Sequence, residues 1–580
     1  MGNNEAAQDL FGQIIELNSD HFGAHYNLGL LLSSSGRHTE ALPHHDAAVR
    51  LQPRQFWAYI NRGNAKAKLK KYQEAIADYD AVLTQQPDQA DALTNKGNAL
   101  LELGEFQVAQ QCFERALEVH ANFAPAWIAL GRALLAARSF AKGVDRMTQA
   151  LHMFPDSADA WCILGLCLAE TEQLGDAIAA FRRALALQPA HHESWCGLGT
   201  ALQLVGEFLE AIECLDRALS IEPTYADAYI NRGATRVFMG LHDAARADLE
   251  QAIALQPADV SAQWNLATIL LRAGDFSRGW EYFESRWSAP ELGFRRLVTE
   301  RPAWTGQQSD RPLLLWGEQG IGDQILYTSI LGELGKLPQK KIVALDRRLI
   351  PLFARSLPDF EFTDLAAVND GLNFGEQLPL GSLPRLFRPS KDSFAAARHP
   401  FLMADPARTQ DLRGRVADGR KLVCGVSWSS SRKDTGAHKS ITLDRMLTPL
   451  ASDRLHFVDL QYGDTAAERR ALQLQRGIRV QSVAEIDNLC DIDGLASLIA
   501  ACDIVISTSN TTAHLAGALG KETLLLLPVG KGRHWYWTDY DGNNLWYPTV
   551  RSFAQRQVGD WTQPLTDIRL RLHQAVQERP

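Results

Sequence analysis

No apolar run in the 580-residue sequence reaches the roughly 18–20 residues that a membrane-spanning helix needs. LLLLP at 524–528 is too short and reads as a buried strand. The start, MGNNEAAQDL, lacks a basic segment followed by an apolar core, so no secretory signal is expected and the cytoplasm is the expected compartment. A basic excess is also missing. Lys and Arg total 59 against 68 Asp and Glu, a formal charge of -9, which argues against a general nucleic-acid or anionic-membrane binder. The eight cysteines form no CxxC and no HEXXH is present, so neither a metal nor another cofactor is expected. Cys162, Cys167, Cys196 and Cys214 fall on predicted helices and read as small core residues in a reducing compartment. What remains is ordinary globular composition, 46% apolar and 22% charged, with length for three or four domain-sized units.

The first half carries a ruler. Gly29, Gly63, Gly97, Gly131, Gly165, Gly199 and Gly233 are spaced by 34 residues without slippage. Pro53, Pro87, Pro155, Pro189, Pro223 and Pro257 keep the same period, as do Ala41, Ala75, Ala109, Ala177, Ala211 and Ala245. These columns resemble the tetratricopeptide repeat, a helix-turn-helix unit of that length. The small residues are expected where the two helices of a unit cross, and proline after the second helix. Tyr59, Trp127, Trp161, Trp195 and Tyr229 share one column and are expected in the seam between units. Stacked units predict an α-solenoid with a concave groove. Residues 2–21 read as the second helix of an earlier unit whose first helix is absent, by truncation or as a natural half-repeat cap. Residues 260–288 read as a degenerate last unit.

Another column holds Asn27, Asn61, Asn95, Asn231 and Asn265, with Ala129, Ile163 and Gly197 in the middle. An amide facing the groove can both donate to and accept from an extended peptide backbone. Asparagine could equally be a frequent residue of this repeat column. The architecture resembles the O-GlcNAc transferases, which implies an asparagine ladder holding protein substrates. Here that ladder is interrupted.

From Pro312 the pattern alternates strand and helix: LLLWGEQGIGD, QILYTSILGEL, KIVALD, RRLIPLFARSL, FEFTDL. Residues 376–415 read as an irregular crossover. A second series follows through LVCGVSWSS, HFVDLQYGD, IRVQS, DIVISTS and ETLLLLP. Two parallel α/β halves in series resemble a GT-B glycosyltransferase, with ligands at the carboxyl ends of the strands. The expected boundaries are 1–288 for the repeats, 289–311 for a linker, and 312–415 and 416–580 for the two Rossmann-like halves.

Three motifs carry candidate chemistry. In GEQGIGD, residues 317–323, glycines after a strand let backbone approach a ligand, and Asp323 is also an N-cap candidate for the next helix. The run resembles the acceptor-side loop of bacterial heptosyltransferases. That resemblance implies Asp323 as general base, with Glu318, Gly320, Gly322 and Gln324 around the acceptor. SWSSSRKDTGAHKSITLD, residues 427–444, offers Ser429, Ser430, Arg432, Lys433 and Lys439 to a phosphate, or is a solvated loop before a helix. In both resembling families a lysine of this loop contacts the donor diphosphate, and Lys439 fits its place. STSNTTAH, residues 507–514, turns from a strand into a helix whose free N–H groups favour an anion. Thr511 and Thr512 add hydroxyl donors; Ser509 or Asn510 could simply cap the helix. The O-GlcNAc transferases have a threonine pair at the matching turn. His514 matches the histidine of the heptosyltransferase motif D-[ST]-G-x-x-H, whose acidic residue is Ser509 here. Gln461 and Tyr462 are donor-pocket candidates or a structural turn. The aromatic loop at 530–548 reads as a stacking cover or as plain packing.

The reading is a metal-independent glycosyltransferase tethered to a repeat array, moving a sugar from a nucleotide-activated donor to a protein acceptor. Similar two-part bacterial proteins are associated with flagellin glycosylation, including transfer of nonulosonic acids, so flagellin is a candidate acceptor. A non-catalytic repeat scaffold and a transferase for lipid or polysaccharide acceptors remain open.

Overall fold

The computed structural model describes residues 2–289, 293–294, 296–430, 436–530 and 532–578. They pack as two compact units, Met1–Asn231 and Arg232–Pro580.

The first unit is a helical solenoid. After the helix Gly2–Leu17, first helices begin at Phe22, Phe56, Ala90, Ala124, Ala158 and His192, and second helices at His38, Tyr72, Phe106, Phe140, Leu174 and Phe208. Side-chain caps start several of them: Ser157 accepts from the Ala160 N–H, and His191 from that of Ser194. The glycine column faces a residue sixteen positions on. A Cβ at Gly63 would lie 2.7 Å from Tyr79, at Gly97 2.4 Å from Phe113, and at Gly165 2.8 Å from Phe181. The spacing thus sets glycine, not merely a small residue, against a large apolar partner in the same unit. The tryptophan column has a task that bulk alone does not explain. Trp127, Trp161 and Trp195 donate their indole N–H to the carbonyls of Ala121, Pro155 and Pro189, latching the turn six residues earlier.

The second unit opens with the end of the helix Ala226–Phe238, then His242–Leu255, Val260–Ala273 and Phe276–Phe283. It continues as α/β structure with two parallel sheets. Strands β1 (Leu313–Trp316), β2 (Lys341–Leu345), β3 (Glu361–Asp364) and β4 (Glu376–Pro379) form the first, in the order β3-β2-β1-β4. Strands β5 (Leu422–Ser427), β6 (Leu455–Asp459), β7 (Val480–Gln481), β8 (Ile504–Thr508) and β9 (Thr523–Leu527) belong to the second. A short hairpin, β10 (Asp539–Tyr540) with β11 (Asn543–Asn544), precedes β12 (Val550–Ala554), and the second sheet runs β12-β9-β8-β5-β6-β7. Every ladder within both sheets is parallel, and β1, β2, β5, β8 and β9 are buried throughout, as continuous apolar runs require.

Two expectations change. The stretch 376–415 is not an irregular crossover: β4 pairs with β1, and the helices Leu383–Phe387 and Pro406–Val416 follow. Its four-residue strand was hidden because EQLP has neither alternation nor a β-branched residue. The strand β12 also went unread, because VRSFA lies beyond the aromatic loop and adds the outermost ladder, on β9. Among the described residues no helix is long and apolar enough to cross a membrane.

The sixteen-residue contact predicts that Gly97→Ala lowers the unfolding free energy by about 1–3 kcal/mol, measured by urea denaturation, because the Phe113 ring is fully buried and cannot retreat. The equivalent of Phe113 in an earlier unit is His45, buried under Gly29. Burial, helped by His44, pushes its imidazole down to about 4. A folded value below the ordinary 6.5 means that the unfolded chain takes up the proton first. Stability from this site is complete above pH 6.5 and is lost as pH falls from there to about 4. His45→Leu removes that part of the acid sensitivity, which melting curves across the window will read.

Candidate functional site

The site is built from strand ends. In the first sheet β1 has β2 on one side and β4 on the other, so chain direction reverses its sideways progress beside β1. In the second, β5 and β8 flank the equivalent reversal. Crevices at the carboxyl ends of strands flanking such a point are where open α/β sheets hold ligands. The three sequence motifs leave β1, β5 and β8 at these ends.

After β1, Glu318 turns inward. Its carboxylate is buried, accepts from the Gly381 N–H at 3.0 Å and faces Arg286 at 3.3 Å. Burial raises its pKa, and the Arg286 charge opposes the rise. Gln324 is also buried: it donates to the Gln319 carbonyl at 2.9 Å and accepts from the Asp346 N–H at 2.9 Å. Both side chains brace the loop, while Gly320 and Asp323 keep access to solvent. The helix Ile321–Thr328 is capped by Gly320, so Asp323 is not the N-cap but the third helical residue, where its charge meets the helix N-terminus.

Gly322 is the close-approach position. A Cβ there would lie 2.8 Å from the His514 ring, so glycine lets the helices Ile321–Thr328 and Thr511–Ala518 touch near their N-termini. His514 sits with Nδ1 3.0 Å from Tyr547 Oη, and burial followed by the Lys439 ammonium pushes its imidazole down to about 3. It is a neutral ring at any ordinary pH. The helix from Thr511 is capped by Asn510, whose carbonyl oxygen accepts from the Ala513 N–H. Its amide nitrogen donates to Ser427 Oγ at 2.8 Å and to the Ser429 carbonyl at 3.1 Å. Ser509 Oγ accepts from the Trp537 indole at 2.8 Å. Thr512 is fully buried beneath the Leu460 carbonyl, which leaves Thr511 as the accessible hydroxyl of the pair.

Gln461 ties the second motif down. One carboxamide oxygen accepts from Ser427 Oγ and from the N–H groups of Trp428 and Ser429, at 2.8–3.0 Å. It is a buried brace, and Tyr462 beside it is partly exposed. Ser429 and Ser430 are partly exposed, and Lys439 is buried with Nζ 3.2 Å from His534 Nε2. Arg432 and Lys433 lie outside the described residues.

A cavity of about 1550 Å³ includes Asp323, Gly320, Trp316, Tyr327, His534 and Tyr536 in its wall. Lys439 touches this wall at His534, while His514 of the helix from Thr511 packs on Gly322, which lies between the lining residues Ile321 and Asp323 and does not itself line the cavity. The aromatic loop packs on the site and also lends rings to the cavity wall. His534 and Tyr536 stack at 5.2 Å in the wall, while Trp537 is buried against His514. His534 was not singled out in the sequence; its signal was the only histidine in the glycine-bearing loop.

In the repeats, Asn27 is exposed and Asn61, Asn95 and Asn231 are partly so. Asn95 donates to Asn64 at 3.0 Å and Asn231 to Cys196 Sγ at 3.4 Å, so part of the ladder is occupied internally. Asn265, in the second unit, is partly exposed. Cys162, His191 and Glu193 bring one ligand atom each within 4.8 Å of one another. His191 does not suit a metal there. Its Nδ1 accepts from the Ser194 N–H at 3.2 Å, which leaves the proton on Nε2, toward Asp159. The D-x-D triplet at 491–493 is spent on ion pairs to Arg408 and Arg355.

Models of the tetratricopeptide repeat match residues 1–56, 128–192 and 230–285, residues 54–122, and residues 192–225. The chain carries these repeats through its first half. It is 30% identical over 321 residues to Protein FlbA of Caulobacter vibrioides, an alignment covering 52% of each chain. The chain thus spans about half the length of this curated relative. Among solved structures it is similar to a tetratricopeptide repeat protein from Parabacteroides merdae, at 16% identity and TM-score 0.39, covering 43% of this chain and 98% of that one. It is also similar to the APC/C hetero-tetramer Cut9–Hcn1, at 17% identity and TM-score 0.38, covering 49% and 56%.

Gln461→Leu is expected to strand two backbone N–H groups and a hydroxyl, lowering stability by about 1–3 kcal/mol. Hydrogen exchange at Trp428 and Ser429 will rise before exchange elsewhere in the second sheet.

Proposed function

We propose that the α/β part is a glycosyltransferase that moves a sugar from a nucleotide-activated donor to a protein recruited by the repeats. The observation that supports this reading is one cavity lined by the strand-end loop that bears Asp323 and by His534–Tyr536 of the aromatic loop. A carboxylate enters from the first sheet; Lys439 stands behind the lining residue His534, and the helix from Thr511 touches Gly322, next to Asp323, through His514.

The chemistry follows from that division. Asp323 takes the proton from the acceptor nucleophile as its oxygen or nitrogen bonds to the anomeric carbon. The bond from that carbon to the phosphate oxygen breaks, and the phosphate leaves with the electron pair. The new negative charge lies beside Lys439, Thr511 and the N–H groups opening the helix, donors fixed before the reaction starts. Neutral His514 adds no competing charge and fixes the spacing of the two helices. His534 and Tyr536 present a stacked face to a sugar or base. The repeats supply the polypeptide, through amides such as Asn27 and Asn61. Flagellin is a candidate acceptor, and a nonulosonic acid a candidate sugar; with a CMP-sugar a single phosphate occupies the Thr511 turn.

A thermal-shift screen of UDP, GDP, ADP and CMP with their sugar derivatives identifies the donor, since a ligand of the folded state raises its stability. With that donor and its acceptor, Asp323→Asn lowers kcat about 10²–10⁴-fold with nucleotide affinity preserved. Lys439→Met instead weakens nucleotide binding. Unchanged transfer by the Asp323 variant would remove the general-base assignment, and the absence of any nucleotide binding would favour a non-catalytic scaffold.

A further inference from the structure

A second, smaller cavity of about 160 Å³ lies beside the first, walled by Arg272, Arg533, His242, Thr268 and the loop at Gly530. Its walls come from the last repeats and from the segment after β9, all within the second unit. Arg272 sits in the last turn of the helix Val260–Ala273 and donates to the Arg533 carbonyl at 2.7 Å. Both side chains line the cavity, and the Arg533 charge acts to lower the Arg272 pKa. Among the described residues neither has a carboxylate partner. Tyr540, the remaining group that acts on Arg272, directs its hydroxyl to the Leu271 carbonyl at 2.7 Å. His242 Nδ1, in the same wall, is buried without a hydrogen-bond partner.

Like charges gathered in one partly enclosed cavity are costly unless something of opposite sign joins them. The partial negative charge of a helix end offsets only a fraction of one cation. Burial, then Arg533, pushes Arg272 down to about 10, and burial lowers Arg533. His242 is lowered by burial, then by both arginines, with Asp243 opposing. The volume is ample for a tetrahedral or planar oxyanion and about a tenth of that of the larger cavity.

We propose that this cavity is a binding site for a compact oxyanion, a phosphate or carboxylate group gripped between Arg272 and Arg533. The planar donor fork of arginine suits both shapes. The cavity shares Thr268, His534 and Trp535 with the larger one. The anion therefore has two sources: free inorganic phosphate, or an acidic group on a molecule whose body occupies the larger cavity. The charge argument does not depend on the glycosyltransferase reading.

The test uses the full chain, melted in sodium phosphate, sodium glucuronate or sodium chloride at matched ionic strength. The expected result is a saturable rise of several degrees over chloride for phosphate or glucuronate. That rise is lost in Arg533→Gln and in Arg272→Met, which keeps the aliphatic stem. Calorimetry should give one site per chain, weakened at least about tenfold in either variant. Each comparison is between anion and chloride for the same variant, so a loss of basal stability does not mask it. Arg533→Lys, retaining charge without the fork, should bind with intermediate affinity. Phosphate acting alone marks a free-anion site, and glucuronate acting more strongly marks a substrate group. An equal anion response in wild type and both charge-removing variants, or none in wild type at millimolar anion, overturns the proposal.

Discussion

The ion pair between Arg286 and Glu318 is the contact on which the candidate site rests. Both side chains are almost completely withdrawn from water. Arg286 follows the last repeat helix and Glu318 follows β1, so one interaction fastens the end of the repeats to the loop presenting Asp323. The pair has further partners, although Arg286 Nε is buried without one. Arg286 also reaches Ser382 Oγ, the Phe283 carbonyl and Glu284, and lies over the Phe283 and Trp287 rings. A Cβ at Gly381 would overlap the Glu318 carboxylate, so that glycine is part of the same device. Breaking such a pair from one side costs about 3–5 kcal/mol, because it leaves a buried charge uncompensated.

Around this pair the apolar core runs without interruption from the repeat helices into the sheets. Trp280 of the last repeat meets Trp535 of the aromatic loop at 5.2 Å and donates its indole N–H to the Arg388 carbonyl at 2.8 Å. Phe276 packs on Phe394 and near Tyr540. The repeat motif therefore continues in sequence past the point where packing changes allegiance. Arg232 already belongs to the second unit, although its helix starts at Ala226.

This explains which parts of the molecule were legible in the sequence. Periodicity reports local geometry, and the 34-residue ruler placed each repeat helix because every unit repeats one set of contacts. The apolar runs of β1, β2, β5, β8 and β9 were equally plain, because strands buried on both faces carry no polar alternation. Glu318, Gln461 and Asn510 stood out as polar residues at strand ends, but their partners lie far away in sequence. Gln461 is engaged with Ser427, and Asn510 with the same hydroxyl. A bracing amide and a ligand-facing amide have the same letter; only the third dimension separates them. Asp323 and Thr511 were distinguished by what they lack, namely enclosure.

The indole latch on three of the inter-repeat turns has a consequence for how the array can vary. Gln263 occupies the tryptophan column in the last unit and makes the same bond, donating to the Pro257 carbonyl at 2.7 Å. Where this column carries a donor of enough reach, the latch needs a hydrogen at one point in space and not a ring, and Leu93 shows that a unit can also do without it. Whatever carries that hydrogen is free to be broad or slender on its outer side. An array built this way can redecorate the surface beside each turn, one unit at a time, while the bend beneath stays as it was.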